Sequence, residues 1–292
     1  MAGVASGPSL PAGDGARVVV NTPSAGALLA AIETRLANGR GGAVATLNLD
    51  HLVKLSRSEA FRRAYLDTDL IVADGKPVVF LARLAGARVG LAPGSDLVQP
   101  LCALAARIGA PIALYGSAPE TLDIAGARLA ATHPGLRVAL AIAPSYGFDP
   151  EGPAADADIA RIRESGARLC LVALGAPKQE IFAVRARAGA PACVFVSVGA
   201  GIDFVAGAQT RAPRWIRRLA LEWAWRMLSD PRRLTRRYLD CALLLPALAL
   251  DALRSRGAVR RARHAEDGAC PCPICGLRPP IPAPRRRRSP RS

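Results

Sequence analysis

The 292-residue sequence has no apolar run long enough to span a bilayer, no internal repeat, few aromatic residues and no cysteine spacing of a disulfide framework. The apolar stretch from Leu239 to Leu250 contains Pro246 and runs for about a dozen residues, against the roughly 20 that a membrane helix needs. Any membrane contact is therefore expected to be peripheral. Cys102, Cys170, Cys193 and Cys241 stand singly in apolar segments, as buried reduced thiols do, which fits a reducing cytosol. Cys270, Cys272 and Cys275 form C-x-C-x-x-C with His264 nearby, but no second CxxC pair exists, so they are read as incidental rather than as a zinc site. The rest of the chain has no metal-ligand spacing, and neither metal nor cofactor is expected. Only four tyrosines and three tryptophans are available as stacking platforms, which disfavours nucleic acid as a partner. A basic nucleic-acid-binding α/β protein remains the alternative function. Residues 1–16 lack a basic start followed by an apolar run, and they are read as a disordered leader rather than a secretory signal.

What is present begins with apolar residues, 51% of the chain, enough to bury a substantial core. The formal charge of +16 is concentrated at one end: from Arg211 onward 20 arginines stand against 6 acids, an excess of 14, which leaves +2 for residues 1–210. An anionic partner is expected at the C-terminal part, such as a lipid surface or a pyrophosphate.

Apolar β-branched runs alternate with helical patterns. Strands are expected at 17–21, 42–47, 69–73, 111–115, 136–142, 168–174 and 193–198. The helices between them include 24–36 with a serine cap, one continuous helix from Asn48 through Tyr65, and 119–132. This alternation predicts an α/β fold with a Rossmann-like parallel sheet and helices on both faces. The expected division is a leader at 1–16, a core at 17–210, a basic helical appendage at 211–256 and a disordered Arg/Pro/Cys tail at 257–292. In the appendage Pro213 suits a first helical position. Ile216, Leu219, Ala220, Trp223 and Met227 then share one face, while Arg214, Arg217, Arg218, Leu221, Trp225 and Leu228 share the other.

In open α/β sheets ligands bind beyond the carboxyl ends of strands, and the chemistry-bearing residues fall there. Asp74 follows an apolar strand and precedes Gly75, which suits a general base; spacing alone equally allows a cap for the helix near Pro77. Thr46 and Asn48 end the neighbouring strand and offer uncharged groups to orient a substrate, or simple helix capping. Gly116-Ser117 is a strand-to-helix turn able to hold phosphate at a helix start. Gly175-Ala176-Pro177-Lys178-Gln179-Glu180 repeats that geometry with a cation and an amide, or is a loop with a solvated lysine. Gly199 and Gly201 lead to Asp203, but Phe204 stands where a G-x-G-x-x-G fingerprint needs its last glycine, which argues against a nicotinamide dehydrogenase.

Together, TLNLDHL at 46–52, ADG at 73–75, GAPKQE at 175–180 and the stretch from Val198 to Leu239 resemble the WecG/TagA/CpsF glycosyltransferases, glycosyltransferase family 26, over residues 17–245. The resemblance implies an inverting transferase that moves N-acetylmannosamine or a related hexose from a UDP-sugar to a polyprenyl-diphosphate-linked sugar at the inner membrane face, in surface polysaccharide or cell-wall polymer synthesis. It assigns Asp74 to catalysis with Thr46 and Asn48. The donor nucleotide is given to Gly116, Ser117, Gly175, Pro177, Lys178, Gln179, Glu180, Gly199, Gly201 and Asp203, the Asp203 carboxylate being read as accepting from uracil or ribose or as another helix cap. Arg211, Arg214 and Arg218 are the candidates for the diphosphate. Ile202, where an aromatic is common, and Ala220, in place of a usual glycine, depart from the family pattern without removing a chemical group.

Overall fold

The computed structural model describes residues 7–209 and 231–268, with side chains of the second stretch described over 235–256. Six parallel strands carry the molecule: β3 (Gly42–Leu47), β4 (Leu70–Ala73), β5 (Ile112–Gly116), β6 (Val138–Ile142), β7 (Leu169–Ala173) and β8 (Val194–Ser197), in spatial order β4-β3-β8-β7-β5-β6. They are short and nearly continuous in apolar residues because both faces are covered, as a parallel sheet requires. Successive residues point to opposite sides, so Val44, Leu114, Leu171 and Val196 enter one core while Ala43, Ala113, Cys170 and Phe195 enter another.

The first face is covered by α1 (Ala25–Ala37), α5 (Gly94–Ile108), α6 (Pro119–Thr132) and α9 (Gly201–Ala206). The second is covered at its β5–β8 side by α7 (Pro153–Glu164) and α8 (Lys178–Gly189). At its β3–β4 side lie α2 (Leu49–Arg57), α3 (Glu59–Leu66), α4 (Lys76–Leu84) and α10 (Pro231–Gly268). Ser24 caps α1 as its position predicts, its Oγ accepting from Ala27 N at 3.1 Å.

Three expectations are corrected. The supposed leader contains strand β1 (Ser9–Gly13), paired antiparallel with β2 (Ala16–Val19). Leu10 and Ala12 alternate inward against Val18 and Val20, and the pair closes over Asp14-Gly15, both at positive φ. The helix expected to run from Asn48 through Tyr65 breaks at Ser58, whose extended backbone ends α2 and whose Oγ accepts from Phe61 N at 3.3 Å to start α3. The helix of the C-terminal part does not stop at 256: α10 continues to Gly268. The helix placed at Pro213, and with it Leu221, Trp225 and Leu228, lies outside the described residues.

Cys102, Cys170, Cys193 and Cys241 are free and buried, and burial pushes the thiols of Cys102 and Cys241 up to about 12 and about 11, so both are inert at neutral pH. No helix among the described residues is long and apolar enough to cross a membrane.

Candidate active site at the carboxyl edge of the sheet

All six strands point the same way, so their carboxyl ends form one edge. In spatial order it carries Asp74 after β4, Thr46 to Asn48 at β3, Gly199 to Asp203 after β8, Gly175 to Glu180 after β7, Gly116-Ser117 at β5 and the 143–148 loop after β6. The fold thus brings every predicted core site residue to one edge. Arg211, Arg214 and Arg218 lie outside the described residues.

Asp74 is half-buried, and its N–H donates to Leu47 O at 2.7 Å, which joins the β3 and β4 ends. Gly75, at φ 94°, occupies the cap position of α4, and no side chain caps that helix. The cap position for which Asp74 was weighed is thus held by the residue after it. Thr46 is buried, and the start of α5 presses on it: a Cβ on Gly94 would lie 3.2 Å from Thr46 Oγ1 and 3.1 Å from Ser197 O, so only glycine packs without displacement. Asn48 does what its bland reading held. Its Oδ1 accepts from His51 N at 2.9 Å and caps α2.

Beneath Thr46 lies a group not singled out from the sequence. His51, Phe61 and Tyr65 pack edge to face, His51 Nδ1 lies 2.6 Å from Tyr65 Oη, and Tyr65 O–H reaches Thr46 O at 3.5 Å. Burial drives the His51 pKa down to about 3, with Lys54 and Arg237 adding to the effect, so the imidazole is neutral. Asp50, also buried, is ion-paired to Lys54 at 2.9 Å and to Arg237 of α10 at 3.0 Å. Asp50 Oδ2 and Arg237 Nε nevertheless lack hydrogen-bond geometry, so these are charge contacts rather than aligned bonds. Lys54 Nζ also donates to Ala176 O at 3.2 Å, tying α2 to the turn after β7. The repeat of apolar positions along α2 signals His51 as a core residue; its partner Tyr65, 14 residues on, belongs to a different helix, which no local pattern reveals.

The turns after β5, β7 and β8 are bonded to one another. Ser117, at φ 63°, donates from Oγ to Asp203 Oδ1 at 2.5 Å, and Gln209 Nε2 donates to Asp203 Oδ2 at 2.8 Å, so Asp203 pins α9 to the β5 turn instead of capping a helix. Gly116 is required by its φ of 101° and by crowding, since a Cβ there would stand 2.4 Å from Ala173 O. Lys178 is exposed, as the alternative of a solvated lysine had it, and its Nζ also donates to Phe148 O at 2.7 Å, a tether to the 143–148 loop. Beyond that tether a cleft of about 240 Å³ opens, lined by Ser145, Phe148, Asp158 and Arg161 among others. It is smaller than the roughly 300 Å³ at which ligand pockets begin.

Three parts of the anticipated anion cradle are corrected. Gly199 N–H is taken by Gln179 Oε1 at 3.2 Å, and Gly201 N–H by Val198 O at 3.1 Å, so neither amide is open to a phosphate. Gly201 is instead a packing glycine, since a Cβ there would lie 2.7 Å from Val98 Cγ2. Glu180 is 1% exposed, which rules out direct contact with a ligand in the open edge. Gln179 Nε2 donates to Glu180 Oε1 at 2.7 Å while Glu180 Oε2 has no partner. Desolvation raises the Glu180 pKa to about 8, against the opposing pull of Gln179 and Lys54.

Among the described residues, the buried side-chain atoms without hydrogen-bond partners are Asp50 Oδ2, Glu180 Oε2, Ser197 Oγ and Arg237 Nε. All four lie at this edge or on the helices that close over it. Asp50 Oδ2 and Arg237 Nε keep their charge contacts, whereas Glu180 Oε2 and Ser197 Oγ have no such contact, and a buried polar atom left so is costly and calls for an explanation. A doubly covered parallel sheet with such an edge, carrying a carboxylate and paired strand-to-helix turns, is the architecture of α/β proteins whose ligands bind past the carboxyl ends of the strands. The model of the glycosyl transferase WecG/TagA/CpsF family matches residues 15–260, and the chain belongs to that family. It is accordingly a glycosyltransferase of cell-wall or polysaccharide synthesis.

Proposed function

We propose that the protein transfers a hexose, N-acetylmannosamine or a close relative, from a UDP-sugar to a polyprenyl-diphosphate-linked sugar with inversion, at the inner membrane face. The observation that carries the reading is Asp74: a half-buried carboxylate past β4, beside the Thr46 strand end, with the helix cap it might have served taken by Gly75. Asp74 takes the proton from the acceptor hydroxyl as that oxygen bonds to the anomeric carbon; the bond from that carbon to the diphosphate oxygen breaks and UDP leaves. Thr46 and Gln179, both buried, shape the floor and the turns of this edge rather than touch the sugar. The Ser117–Asp203 pair offers polar atoms to the nucleoside, and Gly116, Gly175 and Pro177 shape the turns around it.

The negative charge on departing UDP calls for cations. Arg211, Arg214 and Arg218 supply them in this reading. The described chain is anchored on both sides of that segment at the same edge, by Gln209 on Asp203 and by Arg237 on Asp50. Peripheral membrane binding is supported by α10, where Leu239, Leu243, Leu250 and Leu253 are all exposed at 47–79% and flanked by exposed Arg236, Arg254 and Arg256.

Asp74→Asn keeps the shape and removes the basicity. It should retain UDP binding by calorimetry and lose transfer by roughly 10² to 10⁴, the usual contribution of a positioned base. Unchanged turnover would remove Asp74 from the chemistry.

A further inference from the structure

The side-chain amide of Gln179 has two nearly isosteric ends, and only its neighbours decide which end points where. Its Oε1 accepts from Gly199 N–H at 3.2 Å and its Nε2 donates to Glu180 Oε1 at 2.7 Å. Flipping the amide would set NH₂ against the Gly199 N–H and oxygen against Glu180 Oε1, which accepts as the carbonyl oxygen when the proton sits on Oε2, two repulsive contacts in place of two bonds. Gly199, at φ 56°, begins the turn that leads into α9, and Asp203 of α9 is in turn held by Ser117. A line of bonds thus runs from Glu180 through Gln179 and the β8 turn to the β5 turn, across three strand ends.

Stability does not explain the carboxyl at its head. Glu180 is fully buried, one of its oxygens is unpartnered, and an apolar side chain of like volume would avoid that desolvation. We infer that Glu180 is a positioning residue, which fixes the orientation of the Gln179 amide and through it the β8–α9 turn, without itself touching substrate. The inference rests on the reading of this edge as the sugar-donor site. The charged and titratable groups that bear on Glu180 and its surroundings are Lys54 and neutral His51 on α2, Tyr65 on α3, Asp74 after β4, and the Asp50–Arg237 pair joining α2 to α10. With a pKa near 8, Glu180 is neutral at pH 7, so glutamine copies its neutral form closely and leucine copies only its bulk.

The test uses the full chain, labelled with ¹⁵N, and follows the Gln179 side-chain amide, assigned by its absence in Gln179→Glu. In the unaltered protein the pair should be split and should move with pH around a midpoint near 8. In Glu180→Gln the pair should remain widely split without that titration, and in Glu180→Leu the splitting should fall to that of a solvated glutamine amide while thermal stability is kept or raised. In transfer assays Glu180→Gln should retain kcat/KM at pH 7, whereas Glu180→Leu should lose roughly tenfold, the equivalent of one well-oriented hydrogen bond. A Gln179 amide indifferent to pH, or equally split in Glu180→Leu with activity intact, overturns the inference. Should Glu180→Leu fail to fold, the titration and its loss in Glu180→Gln still decide. Failure of every UDP-sugar to react would strike the functional reading alone and leave the amide measurements standing.

Discussion

His51 and Glu180 are both held neutral by burial, and that moves their contributions to stability in opposite directions along the pH scale. The folded-state pKa of Glu180 is raised from 4.5 to about 8, so the folded protein holds the proton more tightly. Its contribution is full below pH 4.5 and is lost as pH rises through 8. The folded-state pKa of His51 is lowered from 6.5 to about 3, so its contribution is full above pH 6.5 and is lost as pH falls through 3. Between 4.5 and 6.5 the two slopes oppose each other. Chemical denaturation should therefore show a plateau there, a decline attributable to Glu180 from 6.5 to 8, and flattening of that decline in Glu180→Gln. An unaltered alkaline decline in the variant would contradict the assignment. Asn48→Ala should cost about 1 kcal/mol of stability, the usual worth of an N-cap, as measured by urea unfolding. Spacing alone leaves Asp74 open between a general base and a helix cap, and the resemblance carried by ADG at 73–75 tips it toward catalysis. Glu180 was expected at the donor, and its burial was not legible: the first turn of a helix gives no local sign of which side faces the core, and that burial depends on α2 and α3, more than 100 residues away.

At the scale of elements, the strands were legible because both of their faces are apolar, and their order around β8 was not, since spatial neighbours such as β3 and β8 are remote in sequence. The β1–β2 hairpin was hidden by composition: Gly, Ala and Pro dominate residues 1–16, and only Leu10 and Ala12 carry the alternation. In α10 the heptad spacing of Leu239, Leu243, Pro246, Leu250 and Leu253 places an apolar stripe toward solvent, while Cys241, Leu248 and Ala252 face the core. The two faces have different expected costs. Leu248→Ala should destabilise by about 2–5 kcal/mol, the range for a buried leucine. Leu243→Ser, at a side chain 79% exposed, should change stability by less than about 0.5 kcal/mol. The same Leu243→Ser should weaken flotation with anionic liposomes by roughly tenfold, the loss expected for about 1.5 kcal/mol of leucine burial. Undiminished flotation would remove the α10 stripe from membrane contact.

The molecule as a whole divides chemistry from charge. The first 210 residues are nearly neutral and supply the edge with Asp74, Thr46, Gln179 and the Ser117–Asp203 pair, while the excess of 14 positive charges follows Arg211. α10 brings part of that charge back onto α2 through Arg237. That division suits a soluble nucleotide donor meeting an acceptor fixed in a charged bilayer, where each arginine near anionic lipid is worth on the order of 1 kcal/mol. The most direct measurement offers the full chain a panel of UDP-sugars, with and without a short-chain lipid-diphosphate-linked sugar, and follows UDP release together with the anomeric configuration of the product. The account predicts release of one UDP per glycosidic bond, dependent on the acceptor, with inversion at the anomeric carbon. UDP release independent of the acceptor, a retained configuration, or no reaction with any UDP-sugar would contradict it.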